Sequence, residues 1–438
     1  MLALGGIPWT SVEAQTGQLS LLRDAEIEDT IRVYATPLFE AAGLDPTAIR
    51  IHLVDSNQIN AFVTQGNNMF IFSGLLTQTN DPNQIIGVIA HETGHIAGGH
   101  VLRAQGAADT ASATAILGLL LGVAVAVASG EGGAAAAGAT LGSGLATSQF
   151  LSFSRNVESS ADQAALTYLD KTHQSARGLN ELFKKFENQE LLSAGSQDPY
   201  MRTHPLSGER MQAIQRHLEE SPYTDTPEPA DLQDRQDRMV AKLVGYIERP
   251  RTVLQRYPET DQSIPARYAR TISYYRDKQM DVAVPLVDGL IAEEPDNPYF
   301  HELRGQMLFE TGNYAPAIAS YKTAVELAPD QPLLRIGYAQ ALIESGGQGD
   351  LTIAASELET ALQVESRSSW AWRLLGIAYG KLGQEARSAM ATAESAYLVG
   401  DNERARYLAE RAVQGLEYGT PEWQRANDLL SALEVSGG

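Results

Sequence analysis

At 438 residues the chain is too long for one ordinary core and predicts two or three domains, and 43% hydrophobic against 20% charged residues excludes a disordered chain. A formal net charge of -21 excludes a general binder of phosphate backbones, so no nucleic-acid partner is expected. With no cysteine, disulfides, thiolate nucleophiles and cysteine zinc knuckles are excluded, and any metal is left to histidine and carboxylate ligands.

The chain opens with MLALGGIPWTSVEAQ, apolar at first, then Val12 and Ala14 at the small-residue spacing of a signal-peptidase site. Residues 1–14 read as a signal peptide whose start is written too late, because the basic residues that begin such a peptide are missing. The mature chain then begins near Gln15, and its expected address is the periplasm of a Gram-negative bacterium, with association to a membrane left open.

From Leu21 to Ala42 apolar residues recur at helical spacing, and RIHLVDS (Arg50 to Ser56) alternates as a strand. NAFVT (Asn60 to Thr64), the turn QGNN (Gln65 to Asn68) and MFIFS (Met69 to Ser73) predict a hairpin. Asp81-Pro82 opens a helix that runs through Ile85, Val88 and Ile89 into HETGHIAGGH, His91 to His100. Next comes ATAILGLLLGVAVAVA, Ala113 to Ala128, in a stretch whose only charge between Asp109 and Arg155 is Glu131. As a helix it reaches about 24 Å, short of the roughly 30 Å hydrocarbon core, so it does not predict a span. It is either a buried hairpin over the site or an element that touches the membrane or gates substrate.

SRNVESSADQAAL, Ser154 to Leu166, predicts a second amphipathic helix. From Glu219 to about Gln262 the chain turns rich in Pro, Asp, Glu and Gln, which predicts a linker holding one connecting helix at Met239 to Ile247. Beyond it the chain repeats: PDN at Pro295 returns as PDQ at Pro329, 34 residues on, and Ala283/Ala317 and Leu290/Ala324 keep the same offset. WRLLGIAY, Trp372 to Tyr379, fits the tetratricopeptide signature, and Ala354/Ala361 and Ala405/Ala412 keep the small-residue spacing that lets paired helices approach. A three-residue insertion, Gly347 to Gly349, interrupts one turn.

His91 and His95, four residues apart on a helix, lie about 40° apart around its axis, so both imidazoles can face one ion. A catalytic zinc needs a third protein ligand and an open position for water, and Glu92, beside the two histidines, is placed to take that water's proton. His100 lies nine residues from His91, on the opposite face, and the H-E-x-x-H-x-x-G-x-x-H pattern would need its histidine at Val101. His100 is therefore expected as a structural histidine bonding across the fold. Glu158 offers the third ligand, and Asp162, one turn on, can accept the outer N–H of a ligand histidine and fix its tautomer. One Zn2+ per chain follows. In THPLSGER (Thr203 to Arg210) His204 precedes a stiffening proline, and either His204 or Arg210 can stabilise the oxyanion of a tetrahedral intermediate. His52, His173, His217 and His301 have no partner at ligand spacing. No G-x-S-x-G elbow or Walker-type loop starts a serine-hydrolase or nucleotide-driven reading.

NAFVTQGNNMFIFSGLL, HETGHIAGGH, SRNVESSAD and THPLSGER, in that order, resemble the zinc metallopeptidase family that includes the CAAX prenyl proteases and the HtpX heat-shock proteases. With a signal peptide and a repeat tail, the chain is most similar to the BepA-like periplasmic branch. The resemblance implies His91, His95 and Glu158 as zinc ligands, Glu92 as the catalytic glutamate and Arg210 near the substrate. It also implies that His204 takes the fourth zinc position and holds the protease off until displaced. That branch works in outer-membrane protein assembly and degrades stalled barrel components, its repeat domain contacting the assembly machinery. The Gly/Ala-rich segment between His95 and Glu158 departs from the family pattern, so a gating or membrane role there transfers poorly.

The expected architecture is an α+β zincin-like metalloprotease domain over residues 15–220, a linker with its helix over 221–262, and an all-α tetratricopeptide solenoid over 263–433. The expected function is a zinc-dependent metalloendopeptidase of the gluzincin type that hydrolyses unfolded or misassembled envelope proteins, held extended along an edge strand near Met69 to Ser73. Partners are those substrates and the outer-membrane assembly machinery, with peripheral membrane contact through residues 113–128 as a further one. The rival reading is a periplasmic chaperone or assembly factor that acts through its repeats while the protease stays silent.

Overall fold

Asp24 decides where the first helix begins. Its carboxylate accepts the Ile27 amide at 3.0 Å, so helix α1 runs Ala25–Ala41, while Leu21–Leu22 form a short strand, β1. The apolar spacing from Leu21 therefore joins two elements, because Leu22 is buried by pairing with a strand and not by a helix face. The computed structural model describes residues 19–100, 144–186, 200 and 204–435. The expected signal peptide and the apolar segment 113–128 lie outside the described residues.

Three further strands follow: β2 (Arg50–Val54), β3 (Ala61–Thr64) and β4 (Asn68–Phe72). The hairpin β3–β4 forms as its turn residues predict, with Gly66 and Asn67 supplying the two positive φ angles, 76° and 56°. The sheet order is β1-β2-β4-β3, with β2 and β4 parallel and the two outer pairs antiparallel. Asn68–Phe72 is thus an internal strand, paired on both sides, and the edge at the expected substrate position is β3 instead. Alternation along MFIFS reports a strand but not which neighbour covers it. Phe72 N–H donates to the Asn60 carbonyl at 3.0 Å, so Asn60 and Phe62 are the residues bonded to β4. The peptide groups of Ala61 and Val63 then point outward along the edge.

After α2 (Ser73–Thr77), Asp81 caps α3 (Pro82–Ala97) by accepting the Asn83 amide at 2.8 Å. The helices α4 (Gly144–Lys171), α5 (Arg177–Phe186), α6 (Gly208–Glu220) and α7 (Ala230–Ile247) complete this half. Its core gathers Ile31, Phe39, Ile71, Ile89, Leu179 and Leu243 in one cluster. Among the described residues no helix is long and apolar enough to cross a membrane.

The chain divides into two compact units, and the division falls between Glu248 and Arg249. Helix α7, expected inside a linker, belongs to the first unit. Tyr34 Oη donates to the Leu232 carbonyl at 2.9 Å, buried Lys242 reaches Asp24 at 2.9 Å and Glu26 at 3.4 Å, and Arg235 pairs with Asp29 at 2.9 Å. The charged residues that read as linker composition are the polar edge and ion pairs of a docked helix.

The second unit is all helix: α8 (Pro250–Arg256), α9 (Ile264–Arg276), α10 (Met280–Glu293), α11 (Pro298–Glu310), α12 (Tyr314–Leu327), α13 (Pro332–Ser345), α14 (Gln348–Val364), α15 (Ser369–Lys381), α16 (Glu385–Leu398), α17 (Asn402–Gly415) and α18 (Pro421–Val435). Successive helices pack as antiparallel pairs, and Ala283, Ala317, Ala354, Ala361, Ala405 and Ala412 are all buried at the seams. The insertion at Gly347 to Gly349 does not break a turn. Gly346 caps α13 at φ 75° and Gly347 is the N-cap of α14, which has 17 residues where α10, α12, α16 and α17 have 14, so the extra residues lengthen the helix.

Candidate metal centre

Capping at Asp81 sets the phase of α3, so that His91 and His95, one turn apart, face α4. The two helices cross closely at Gly94, where an added Cβ would sit 2.8 Å from the Ala161 carbonyl oxygen. That approach brings Glu158 and Asp162, one turn apart on α4, against the two imidazoles. His91 Nε2 lies 3.1 Å from His95 Nε2, and Glu158 reaches them at 3.3 and 3.5 Å. His91 Nδ1 meets Asp162 Oδ1 at 2.9 Å, which leaves Nε2 as the nitrogen turned to the cluster.

His204 completes the group. Its Nδ1 is 3.3 Å from His91 Nε2 and 3.2 Å from Glu158 Oε2, while its Nε2 is 3.2 Å from the Ala61 carbonyl on β3 and 3.3 Å from Glu92 Oε1. One ligand atom each from His91, His95, Glu158 and His204 falls within 4.8 Å of the others, all four residues being buried. Two or three imidazole nitrogens and a carboxylate at these separations suit a tetrahedral ion with bonds of about 2.0–2.2 Å. Glu92 is buried beside them, and neither of its carboxylate oxygens has a hydrogen-bond partner among the described residues.

The electrostatics follow from burial and the mixed charges. Burial works against the charged form of His91, but Asp162 and Glu158 outweigh it and raise the imidazole to about 10. Burial holds His95 well below the ordinary imidazole range, with Glu158 opposing. Burial pushes the Glu92 carboxyl up, against the pull of His204 and His91. It would push Glu158 up as well, but His204, His95 and Arg210 hold that carboxyl well below its usual range.

Arg210 is buried, and its guanidinium is turned to α4. Nε and Nη2 donate to the two oxygens of Asp162 at 2.6 and 2.8 Å, and Nη1 donates to the Pro205 carbonyl at 2.7 Å and lies 3.2 Å from Glu158. The arginine expected at a developing oxyanion is therefore engaged by α4 and by the residue after His204. His100 Nδ1 lies 3.1 Å from His95 Nδ1, five residues back in the chain. The other histidines stand apart. His52 bonds Asn68, His173 stacks on Tyr223, His217 pairs with Asp170 and His301 bonds the Pro295 carbonyl. Sequence reading missed Tyr200, whose buried ring lies 4.8 Å from that of His204 and whose carbonyl accepts the His204 amide at 2.8 Å. It missed the Ala61 carbonyl as well. No spacing signal marks either, since both meet the site only through tertiary folding. Thr203 lies outside the described residues.

Residues 21–218 match the model of Peptidase family M48, and residues 268–332 that of a tetratricopeptide repeat. Residues 21–218 are thus similar to the metalloproteases of family M48, whose members are zinc-dependent, and tetratricopeptide repeats follow. It is 25% identical over 423 residues to the beta-barrel assembly-enhancing protease of Yersinia pestis, covering 94% of this chain and 84% of that protein. It is 23% identical over 426 residues to the protein of the same name in Escherichia coli K12, covering 95% and 85%. Metalloprotease LoiP of E. coli K12 is 32% identical over 163 residues, 37% of this chain and 60% of that protein.

Proposed function

We propose that the chain is a zinc-dependent endopeptidase of the Gram-negative periplasm that cleaves unfolded or misassembled envelope proteins, with its repeats recruiting substrates or the barrel-assembly machinery. The observation that carries the reading is the convergence of His91, His95 and Glu158 beside the buried Glu92 carboxylate. The two beta-barrel assembly-enhancing proteases aligned over nearly the whole chain support the substrate class.

In this reading His91, His95 and Glu158 hold one zinc, which when bound polarises the scissile carbonyl and acidifies the attacking water. Glu92 takes the proton from that water and returns it to the leaving amine. Burial raises its carboxyl, which strengthens Glu92 as a base for that water. Asp162 orients His91 through Nδ1, and Arg210 holds Asp162. The outward peptide groups of Ala61 and Val63 pair with an extended substrate backbone, which selects unfolded chains with little regard to sequence.

A second reading has a specific observation behind it. His204 lies among the ligand atoms and bonds the edge-strand carbonyl, which suits a resting, silenced protease whose repeats act in assembly. One experiment separates the two. With purified protein and an unfolded polypeptide as substrate, Glu92→Gln should abolish cleavage while keeping its zinc, and His204→Ala should cleave several-fold faster than the parent. Cleavage that persists in Glu92→Gln sinks the metalloprotease reading. A His204→Ala variant no faster than the parent sinks the switch, and trapping on Glu92→Gln in cells identifies substrates and partners.

A further inference from the structure

We infer that His100 is a positioning residue for His95, matching the service that Asp162 gives to His91, and that the Gly98–Gly99 turn exists to fold it back. The inference rests on the reading of the cluster as a metal site. His95 Nδ1 and His100 Nδ1 meet at 3.1 Å, with the rings nearly perpendicular at 83°, and both residues are buried. With both imidazoles neutral, the nitrogen-to-nitrogen contact holds one proton, which sits on one ring or on the other. If His100 Nδ1 carries the proton, His95 accepts it and must carry its own on Nε2, aimed at His91 Nε2 only 3.1 Å away and into the ligand cluster. If His95 Nδ1 carries it, His100 accepts and the His95 Nε2 lone pair is open toward the cluster. Only the second makes His95 a ligand.

The backbone is built for this contact. Helix α3 ends at Ala97, Gly99 turns with φ 59°, and the His100 ring folds back over Gly98, where an added Cβ would sit 2.4 Å from His100 Nε2. Glycine at 98 makes room for the ring and glycine at 99 turns the chain. The two imidazoles are thus backed unequally: His91 by a carboxylate that Arg210 holds, His95 by a ring nitrogen.

The test measures zinc affinity of the purified full chain by competition with a chromophoric chelator, alongside the melting temperature of the metal-free protein. His100→Leu fills the space without an acceptor and should lose about ten- to a hundredfold in zinc affinity. His100→Asn, which keeps an acceptor, should recover most of it, with both metal-free proteins melting near the parent. Should the Leu variant not fold, His100→Ala carries the same comparison. The inference is overturned if the acceptor-less variant binds zinc as tightly as the parent, or if the Asn variant is weakened equally. A parent that binds no zinc overturns the metal reading itself, and this role with it.

Discussion

Among the described residues Arg210 carries the one guanidinium that touches Glu158, its neighbour Asp162 and the His204 loop together. Arg210→Ala leaves two buried carboxylates short of their counter-charge, so urea denaturation of the metal-free protein should show a loss of about 3–5 kcal/mol. Arg210→Lys keeps the charge but not the planar fork, and should fall between the two. Glu228, half-buried on the approach to α7, gives a pH effect whose sign can be worked out. Burial and the repulsion of Asp81, partly offset by Asn83, push its carboxyl from 4.5 up to about 7. Between those values the folded state holds a proton that the unfolded chain releases, so this group's contribution falls as pH rises through the window and is flat above it. Glu228→Gln should therefore gain stability relative to the parent between about pH 4.5 and pH 7, and parallel melting curves for the two proteins would refute it. At this scale the neighbourhood of His91, Glu92, His95, Glu158 and Asp162 is legible in the sequence, because i, i+4 spacing on two helices fixes a shared face. The partners of Arg210 and His100 are not, since they depend on how a loop and a turn return in space.

Gly94 is the point where α3 and α4 touch backbone to backbone, one residue before His95. Gly94→Ala has helix propensity in its favour but forces the crossing apart, and overpacking of this kind costs about 1–3 kcal/mol. The variant should melt lower and bind zinc more weakly, because Glu158 rides on the displaced helix; an unchanged affinity would mean that α4 adjusts without moving its carboxylates. Strands and helices are legible from period and caps, as the β3–β4 hairpin and the Asp81 cap illustrate. Lateral order is not. The parallel pairing of β2 with β4 puts β3 at the edge, and a period of two carries no information about that choice. Nor does composition tell a broken turn from a longer helix, as the glycines before α14 demonstrate.

For the molecule as a whole, the decisive boundary is Glu248. The main core cluster of the first unit lies between Leu22 and Leu243, so a chain ending at Glu248 keeps every member of it. It should fold alone with one cooperative melting transition and bind one zinc. A chain ending at Glu220 loses Met239 and Leu243 from that cluster and strips Glu26 of Lys242. Each buried apolar side chain is worth about 1.5–3 kcal/mol, so the shorter chain should be aggregated or unfolded in size-exclusion and melting experiments. Equal stability of the two would show that α7 is a linker after all. The repeat half is legible from its 34-residue period, and the peptidase half from its ordered motifs. The boundary between them is obscured, because a docked helix with a charged outer face and a solvated linker share the same composition.

The hydrogen bond from His204 to the Ala61 carbonyl makes one oxygen answer to two rivals. In the proposed reading, a polypeptide that adds to β3 calls on the same acceptor that the imidazole bonds, so docking and release of the histidine would be one exchange and not two events in series. A folded protein, whose amides are already paired, brings nothing to that exchange. If His204 is the proposed switch, a chain with an unsatisfied backbone is what releases it, and the lock would open to the very defect that marks a protein for destruction.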